Sequence, residues 1–329
     1  MILILSHARD EHARMVQREL DALGARWHQF DLARFPAEYA MAFSCDAGGA
    51  GACLSAPGGT EIDLAACRAI WWRRPLPFEI APEVSDPDDR QFAYSECHEA
   101  LTGLWQVLDA LWINDPVRDE QAARKLYQLH LARRLGLHVP ETCITNDPDT
   151  ARRFIDAHQR VIYKTFSATE RAWRETRLLR PEERALLDQV RHAPVIFQRC
   201  IDAVADLRIT VVGQRIYAAA IDTRDTEYQV DFRMVMHQAR IEPYALPEAV
   251  ASDIRRLMDA LGLVYGAIDM RLTPDGRHVF LEINPAGQWL FVEDATGLPI
   301  TRAMAELMAG IGEEASETES RSAPRAAVV

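Results

Sequence analysis

Cysteine is sparse in this 329-residue chain, with six residues at positions 45, 53, 67, 97, 143 and 200. They are scattered without a CxxC pair or zinc-ligand spacing, and reduced cytosolic thiols are expected. Positive charge is in the minority, 37 Lys and Arg against 49 Asp and Glu, a net charge of −12. That balance argues against a general nucleic-acid binder, which would show a basic face, though a phosphate site needs only a few local cations. No apolar run approaches the ~18 residues of a membrane span. The N-terminus MILILSHARD has neither a basic n-region nor a long apolar h-region, so a cytoplasmic protein without a membrane partner is expected. The Gly-, Ala- and Ser-rich stretch 44–60 contains no GxGxxG, which removes support for a dinucleotide site. What is present, 48% hydrophobic and 26% charged residues, is ordinary for a globular protein, and the length fits two or three domains.

The most informative stretch is 266–289, GAIDMRLTPDGRHVFLEINPAGQW. Thr273-Pro274-Asp275-Gly276 is turn chemistry, since Pro presets φ and Gly accepts positive φ. The flanking apolar runs read as two strands. Side chains alternate faces along a strand, so Asp269 and Arg271 share one face, as do Glu282 and Asn284. If the strands pair, two carboxylates, an amide oxygen and a guanidinium come together. Such an oxygen set suits Mg²⁺, which leaves its other positions to water and phosphate, and the arginine can stabilise developing negative charge. The alternative is a hairpin with a solvated polar face. The apolar neighbours Ala267, Ile268, Phe280, Leu281 and Ile283 favour the buried reading.

Along the chain, MILILS fits a buried parallel strand, Glu11–Leu23 an amphipathic helix closed by Gly24, and Trp27–Leu32 a second strand. This βαβ opening points to a small doubly wound α/β domain. His7 ends the first strand, either as a ligand or incidentally. Residues 44–60 read as a hairpin or loop, and 69–75 as a strand ending in Arg73 and Arg74, which either hold an anion or are solvated. Residues 77–90 read as loop and 91–111 as a helix. Helices are expected over Asp119–Leu135, carrying Lys125, and Asp147–His158, with a strand Val161–Lys164 between them and the polar segment 165–180. Strands follow at Val195–Gln198, Asp206–Gly213 and Ile216–Ile221. A helix over Pro247–Leu261 leads into the 266–289 stretch, and a last helix ends near Met308. Residues 312–329 lack apolar periodicity and read as a disordered tail. The domain plan is 1–112, 113–194, 195–311 and the tail.

Taken in order, the Lys125 helix followed by GLHVPET, the strand-end Lys164, DLRITVVG, Asp231-Phe232-Arg233, GAIDMR and LEINP resembles the ATP-grasp superfamily from about Asn114 to Met308. The first domain is similar to the pre-ATP-grasp domain that precedes it in such enzymes. Within the superfamily, WWRRP at 71–75, DFR at 231–233 and NPAGQW at 284–289 resemble the microviridin-type peptide ligases. These graspetide synthetases install side-chain ester or amide crosslinks in ribosomal precursor peptides.

The resemblance implies an ATP-grasp fold and an ATP- and Mg²⁺-dependent ligase. Lys125 and Lys164 match the lysines that contact ATP phosphates. Gln198, Arg199, Cys200 and Ile201 fall where main-chain groups hold adenine. Asp269, Glu282 and Asn284 match the magnesium ligands. Arg208, Arg233 and Arg271 match basic residues facing the phosphates and the substrate carboxylate, with Arg271 expected to orient that carboxylate and stabilise the oxyanion. Two departures are visible. The glycine-rich lid is missing at 165–180, and Arg199 stands where related enzymes often place an acidic residue. A precursor peptide, leader plus core, is the implied partner, and a homodimer is left open. The rival readings are a free-standing amino-acid or small-peptide ligase of the same fold and a non-enzymatic nucleotide-binding module. The intact metal-ligand set argues against the latter.

Overall fold

A computed structural model describes residues 1–47, 49–166, 176–224, 226 and 232–311. Asp231, most of the 165–180 segment and the 312–329 tail therefore lie outside the described residues. The chain forms two compact units, Met1–Pro116 together with the segment from Pro299 onward, and Val117–Leu298.

In the first unit, β1 (Ile2–Leu5), α1 (Glu11–Ala22) and β2 (Trp27–Phe30) form the expected βαβ opening. The apolar run of β1 is wholly buried, as a parallel strand with both sheet faces covered requires. Of the two readings of 44–60 the hairpin holds, within a three-stranded antiparallel sheet of β3 (Ala40–Asp46), β4 (Gly49–Ala56) and β5 (Thr60–Asp63). Only every second residue of β4 from Ala52 onward is buried, and its Gly/Ala composition hides the strand from propensity. β6 (Ala69–Trp72) follows.

The next helix, α2 (Pro87–Val107), starts and stops earlier than its apolar pattern suggests. The Asp86 carboxylate accepts the amides of Asp88 and Asp89, and Pro87 occupies the first turn, where its missing N–H costs nothing. Leu111 belongs instead to β7 (Leu111–Ile113), which completes a parallel sheet of order β2-β1-β6-β7. Arg73 is neither solvated nor at an open anion site. It is 1% exposed, and its Nε donates to Asp10 Oδ2 at 3.1 Å. Asp10 in turn caps α1 by accepting the Ala13 amide.

The second unit begins with α3 (Pro116–Ala122) and α4 (Lys125–Arg134), two helices where a single one was expected. The break is stabilised from within, because Gln128 Nε2 donates to the Ala122 carbonyl and satisfies the end of α3. β8 (Thr142–Thr145), α5 (Pro148–Ala157), β9 (Val161–Lys164), β10 (Arg177–Leu178) and β11 (Val195–Arg199) follow. They build an antiparallel sheet of order β10-β9-β11-β8, covered by α5 and a 3₁₀ segment at Pro181–His192. Val195–Arg199, where the sequence reading opens a further domain, thus runs between β9 and β8.

A larger antiparallel sheet, β14-β13-β12-β15-β16, contains β12 (Ala205–Val212), β13 (Arg215–Asp222), β14 (Arg240–Pro243), β15 (Tyr265–Leu272) and β16 (His278–Asn284). α6 (Glu248–Leu261) precedes β15, and α7 (Leu290–Thr296) follows β16. One face of this sheet buries Leu207, Ile209, Ile268, Phe280 and Ile283 with residues of α4 and α6. Alternation along β12 and β15 then sends Asp206, Arg208, Asp269 and Arg271 to the other face, where an irregularity in the β15–β16 ladder also brings Glu282. The last helix, α8 (Ile300–Ala309), belongs to the first unit, where it packs on α1 and Arg302 pairs with Glu19 at 3.1 Å.

Candidate active site

The hairpin that carries the acidic residues is closed by its turn. The amides of Gly276 and Thr273 are both bonded across it, and Gly276 takes φ +82°. Register puts Asp269 directly opposite Glu282 and Ala267 opposite Asn284. A bulge between Asp269 and Met270 lets Phe280 and Ile283 both reach the core while Glu282 and Asn284 stay on the polar face. Asn284 is exposed, and its Oδ1 accepts the Ala286 amide at 3.0 Å.

Cations surround the carboxylates. Lys125, at the first position of α4, ion-pairs with Glu282. Lys164 ends β9, and its charge acts on Glu282, Asp269 and Lys125. Burial lowers the Lys164 ammonium below its ordinary value, and the nearby carboxylates only partly oppose that. Burial disfavours the Glu282 carboxylate, yet Lys125 and Lys164 outweigh it and hold the group down at about 2. For Asp269 burial wins, with Glu282 adding to it against Arg208, and the carboxyl is raised.

Arg208 on β12 is opposite Asp269 and donates to it at 2.7 Å, and its other terminal nitrogen donates to the Gln288 carbonyl at 2.7 Å. Phe291 stacks under the guanidinium at 5.8 Å. Phe232 packs on Phe291 and carries the exposed Arg233 on a short 3₁₀ turn, from which its charge acts on Lys164, Asp269 and Glu282. Arg271 is set apart from this cluster. It is buried, and it donates to Asp206 at 2.8 Å and to the Ile201 carbonyl at 2.7 Å.

Gln198, Arg199, Cys200 and Ile201 line one cavity of about 280 Å³ together with Asp269 and Glu282. That volume lies just below the roughly 300–1,000 Å³ of small-molecule sites. The amides of Arg199 and Cys200 already donate to Glu141 and Arg160. Arg199 also pairs with Glu141 at 3.0 Å. The Arg199 carbonyl and the Ile201 amide, two residues apart, have no backbone partner among the described residues.

Among the described residues no group of three His, Cys, Asp or Glu side chains could hold a metal by itself. The donor set of Asp269, Glu282 and Asn284 nevertheless fits Mg²⁺, a hard cation that takes one or two carboxylates and completes its shell with water and phosphate. The structure adds a residue that the sequence reading missed. Gln128 is buried, and its carboxamide pairs with both the amide and the carbonyl of Ile283, acting as a strand partner on the outer edge of β16 beside Glu282. Its only sequence signal is a polar side chain on the buried face of α4.

A family model for the MvdD pre-ATP grasp domain matches residues 1–120, and one for the RimK-like ATP-grasp domain matches 122–308. Among solved structures, the macrocyclase MdnC from Microcystis aeruginosa MRC, bound with precursor peptide MdnA, is 29% identical with a TM-score of 0.81, over 94% of this chain and 99% of that one. The RiPP-associated ATP-grasp ligase of Chryseobacterium gregarium, in complex with ADP and a leader and core peptide, is 27% identical with a TM-score of 0.85, over 94% and 96%. Macrocyclase MdnB from Microcystis aeruginosa MRC is 28% identical with a TM-score of 0.75, over 93% and 98%. The carbamoyl phosphate synthase large chain of Neisseria meningitidis is 28% identical over 133 residues, 38% of this chain. The chain spans only 11% of the length of that curated relative.

Proposed function

This chain belongs to the RimK-like ATP-grasp family, and on that premise we propose that it is an ATP-dependent ligase that forms side-chain ester or amide crosslinks in a ribosomal precursor peptide. The observation that carries the chemistry is the Asp269–Glu282 rung with Lys125 and Lys164 gathered over it. The peptide substrate rests on full-length likeness, at 27–29% identity, to a RiPP-associated ligase and a macrocyclase solved with their peptides.

In this reading ATP is a substrate. Its adenine edge meets the Arg199 carbonyl and the Ile201 amide, and Lys125 and Lys164 offset the phosphate charge. Asp269, Glu282 and Asn284 would hold Mg²⁺, which supplies charge neutralisation on the phosphates when bound. A Glu or Asp carboxylate of the peptide attacks the γ-phosphorus, breaking its bond to the bridging oxygen and giving an acyl phosphate and ADP. A peptide hydroxyl or amine then attacks the acyl carbon, loses its proton and expels phosphate. The role of orienting the carboxylate and stabilising the tetrahedral oxyanion, given to Arg271 by the resemblance, passes in this reading to Arg233, which lines the cavity, and to Arg208 beside Asp269. Arg271 is engaged instead by Asp206 and the Ile201 carbonyl. Activation comes from phosphate as leaving group, so no nucleophilic side chain of the enzyme is required.

The test is intact mass spectrometry after incubation with ATP, Mg²⁺ and a precursor peptide encoded next to this gene. Loss of one water per crosslink, with ADP release, is the expected result. An unchanged peptide together with ADP release stimulated by free amino acids would replace this reading with a small-molecule ligase. No helix among the described residues is long and apolar enough to cross a membrane.

A further inference from the structure

The two DxR triplets of the large sheet, Asp206-Leu207-Arg208 and Asp269-Met270-Arg271, run antiparallel and in register. Each acid therefore meets the other triplet's arginine, Arg208 on Asp269 and Arg271 on Asp206, at 2.7 and 2.8 Å. The two pairs are chemically alike but differ in what else they touch. Arg208 sits in the rung that continues to Glu282. Arg271, one same-face position further along β15, reaches the Ile201 carbonyl at 2.7 Å.

That carbonyl lies at the segment proposed to read the adenine. On its other side the same segment is fixed by the Cys200 amide, which donates to the Arg160 carbonyl at 2.9 Å. The segment 200–201 is thus held between Arg160, which immediately precedes β9, and Arg271 of β15, and the Ile201 amide falls between the two anchors. Asp206 and Arg271 are 6% and 8% exposed, so the pair is shielded from the solvent screening that makes surface pairs weak. A guanidinium suits the task, because its fixed fork can hold a carboxylate and a carbonyl at once, whereas an ammonium has no fixed fork.

We propose that Arg271, held by Asp206, is a positioning residue that sets the adenine-reading segment 199–201 relative to the metal-binding strand. It acts on the base end of the nucleotide and not on the transferred phosphate. Asp269 lies two residues before Arg271 on β15, so base docking and the carboxylate rung share one rigid strand. The inference rests on the nucleotide reading above.

The experiment is calorimetric binding of three probes to the full chain and to Arg271→Met, Arg271→Lys and Asp206→Asn. The probes are adenosine, ADP without magnesium, and inorganic tripolyphosphate with Mg²⁺. Losing a charged hydrogen bond to the segment should weaken adenosine and magnesium-free ADP about tenfold in Arg271→Met. Tripolyphosphate should bind within about twofold of the parent, a change below half a kcal/mol. Arg271→Lys should fall between parent and Met, and Asp206→Asn should follow Arg271→Met. Should Arg271→Met not fold, Arg271→Lys and Asp206→Asn carry the same comparison. Unchanged adenosine binding in folded variants, or a loss confined to tripolyphosphate, overturns the inference. A parent protein that binds neither ADP nor Mg²⁺-tripolyphosphate overturns the nucleotide reading instead, so the two failures are distinguishable.

Discussion

Asp269 and Glu282 occupy one rung of the β15–β16 ladder, two carboxylates directly opposite each other across antiparallel strands. Like charges in that position repel. The repulsion is met from opposite sides, by Arg208 at Asp269 and by Lys125 at Glu282. Each carboxylate thus brings its own cation, and the pair together presents the oxygens a divalent ion requires.

Glu282→Gln keeps the shape and removes the charge. A metal site stabilises developing charge by several kcal/mol, so turnover should fall by on the order of 10²–10³-fold. Steady-state ADP release measures this, and thermal denaturation with and without Mg²⁺ gives an independent reading. The parent should gain stability with Mg²⁺ and nucleotide, and the variant should not. Activity near that of the parent would remove Glu282 from the site.

Gly287 has a role set by space. A Cβ there would sit 2.3 Å from Ala267 Cβ and 3.2 Å from Arg208 Nη2. The next residue, Gln288, supplies the carbonyl that holds Arg208, and the Gly287 carbonyl accepts the Tyr265 hydroxyl at 2.9 Å. Gly287→Ala should therefore displace the Arg208 anchor and cost about 1–3 kcal/mol of stability, the usual penalty of overpacking. The effect on kcat should exceed that on the KM for ATP. Adding Ala267→Gly should restore part of both, and a double variant no better than the single one would show that the clash is not the cause.

Much of this site was readable along the chain because its signals are local. The Thr273–Gly276 turn, the apolar alternation on either side of it and the strand-end Lys164 need no knowledge of distant residues. The illegible parts depend on contacts far apart in sequence. Arg73 is claimed by Asp10, 63 residues away. The break between α3 and α4 has no Pro or Gly to mark it and rests on Gln128 reaching back to Ala122. Arg271 carries the same residue type and spacing as Arg208, and only the fold reveals that one faces the carboxylate rung and the other the Ile201 carbonyl. For 44–60 the hairpin alternative holds in β3 and β4, but the Gly/Ala-rich β4 has little intrinsic preference to set its bounds or to announce β5.

Gln128→Leu tests the edge support of β16. The substitution preserves apolar bulk and leaves the Ile283 amide, the Ile283 carbonyl and the Ala122 carbonyl without their partner. Each unsatisfied buried group costs about 1–3 kcal/mol, so the destabilisation should exceed that of an ordinary core change. Chemical denaturation gives the stability, and hydrogen exchange at Ile283 should quicken before that of β12. An unchanged Ile283 exchange rate would separate Gln128 from the edge.

Gln198 should decide which base the cavity accepts. The Thr142 hydroxyl spends its single proton on the Pro140 carbonyl at 2.8 Å, so it can only accept from Gln198 Nε2, 2.9 Å away. This fixes the orientation of the carboxamide, with its nitrogen on Thr142 and its oxygen directed elsewhere. That oxygen is buried and has no partner among the described residues, and Gln198 lines the cavity. An unpaired acceptor favours a ligand that brings a donor, as the amino group of adenine does, and disfavours guanine, which presents an oxygen there. The parent should therefore prefer ATP to GTP, and Gln198→Met should narrow the preference by about tenfold, the worth of one hydrogen bond of ordinary strength. The kcat/KM ratio for the two nucleotides measures it. A ratio unchanged in Gln198→Met would leave base choice to the Arg199 and Ile201 main chain alone.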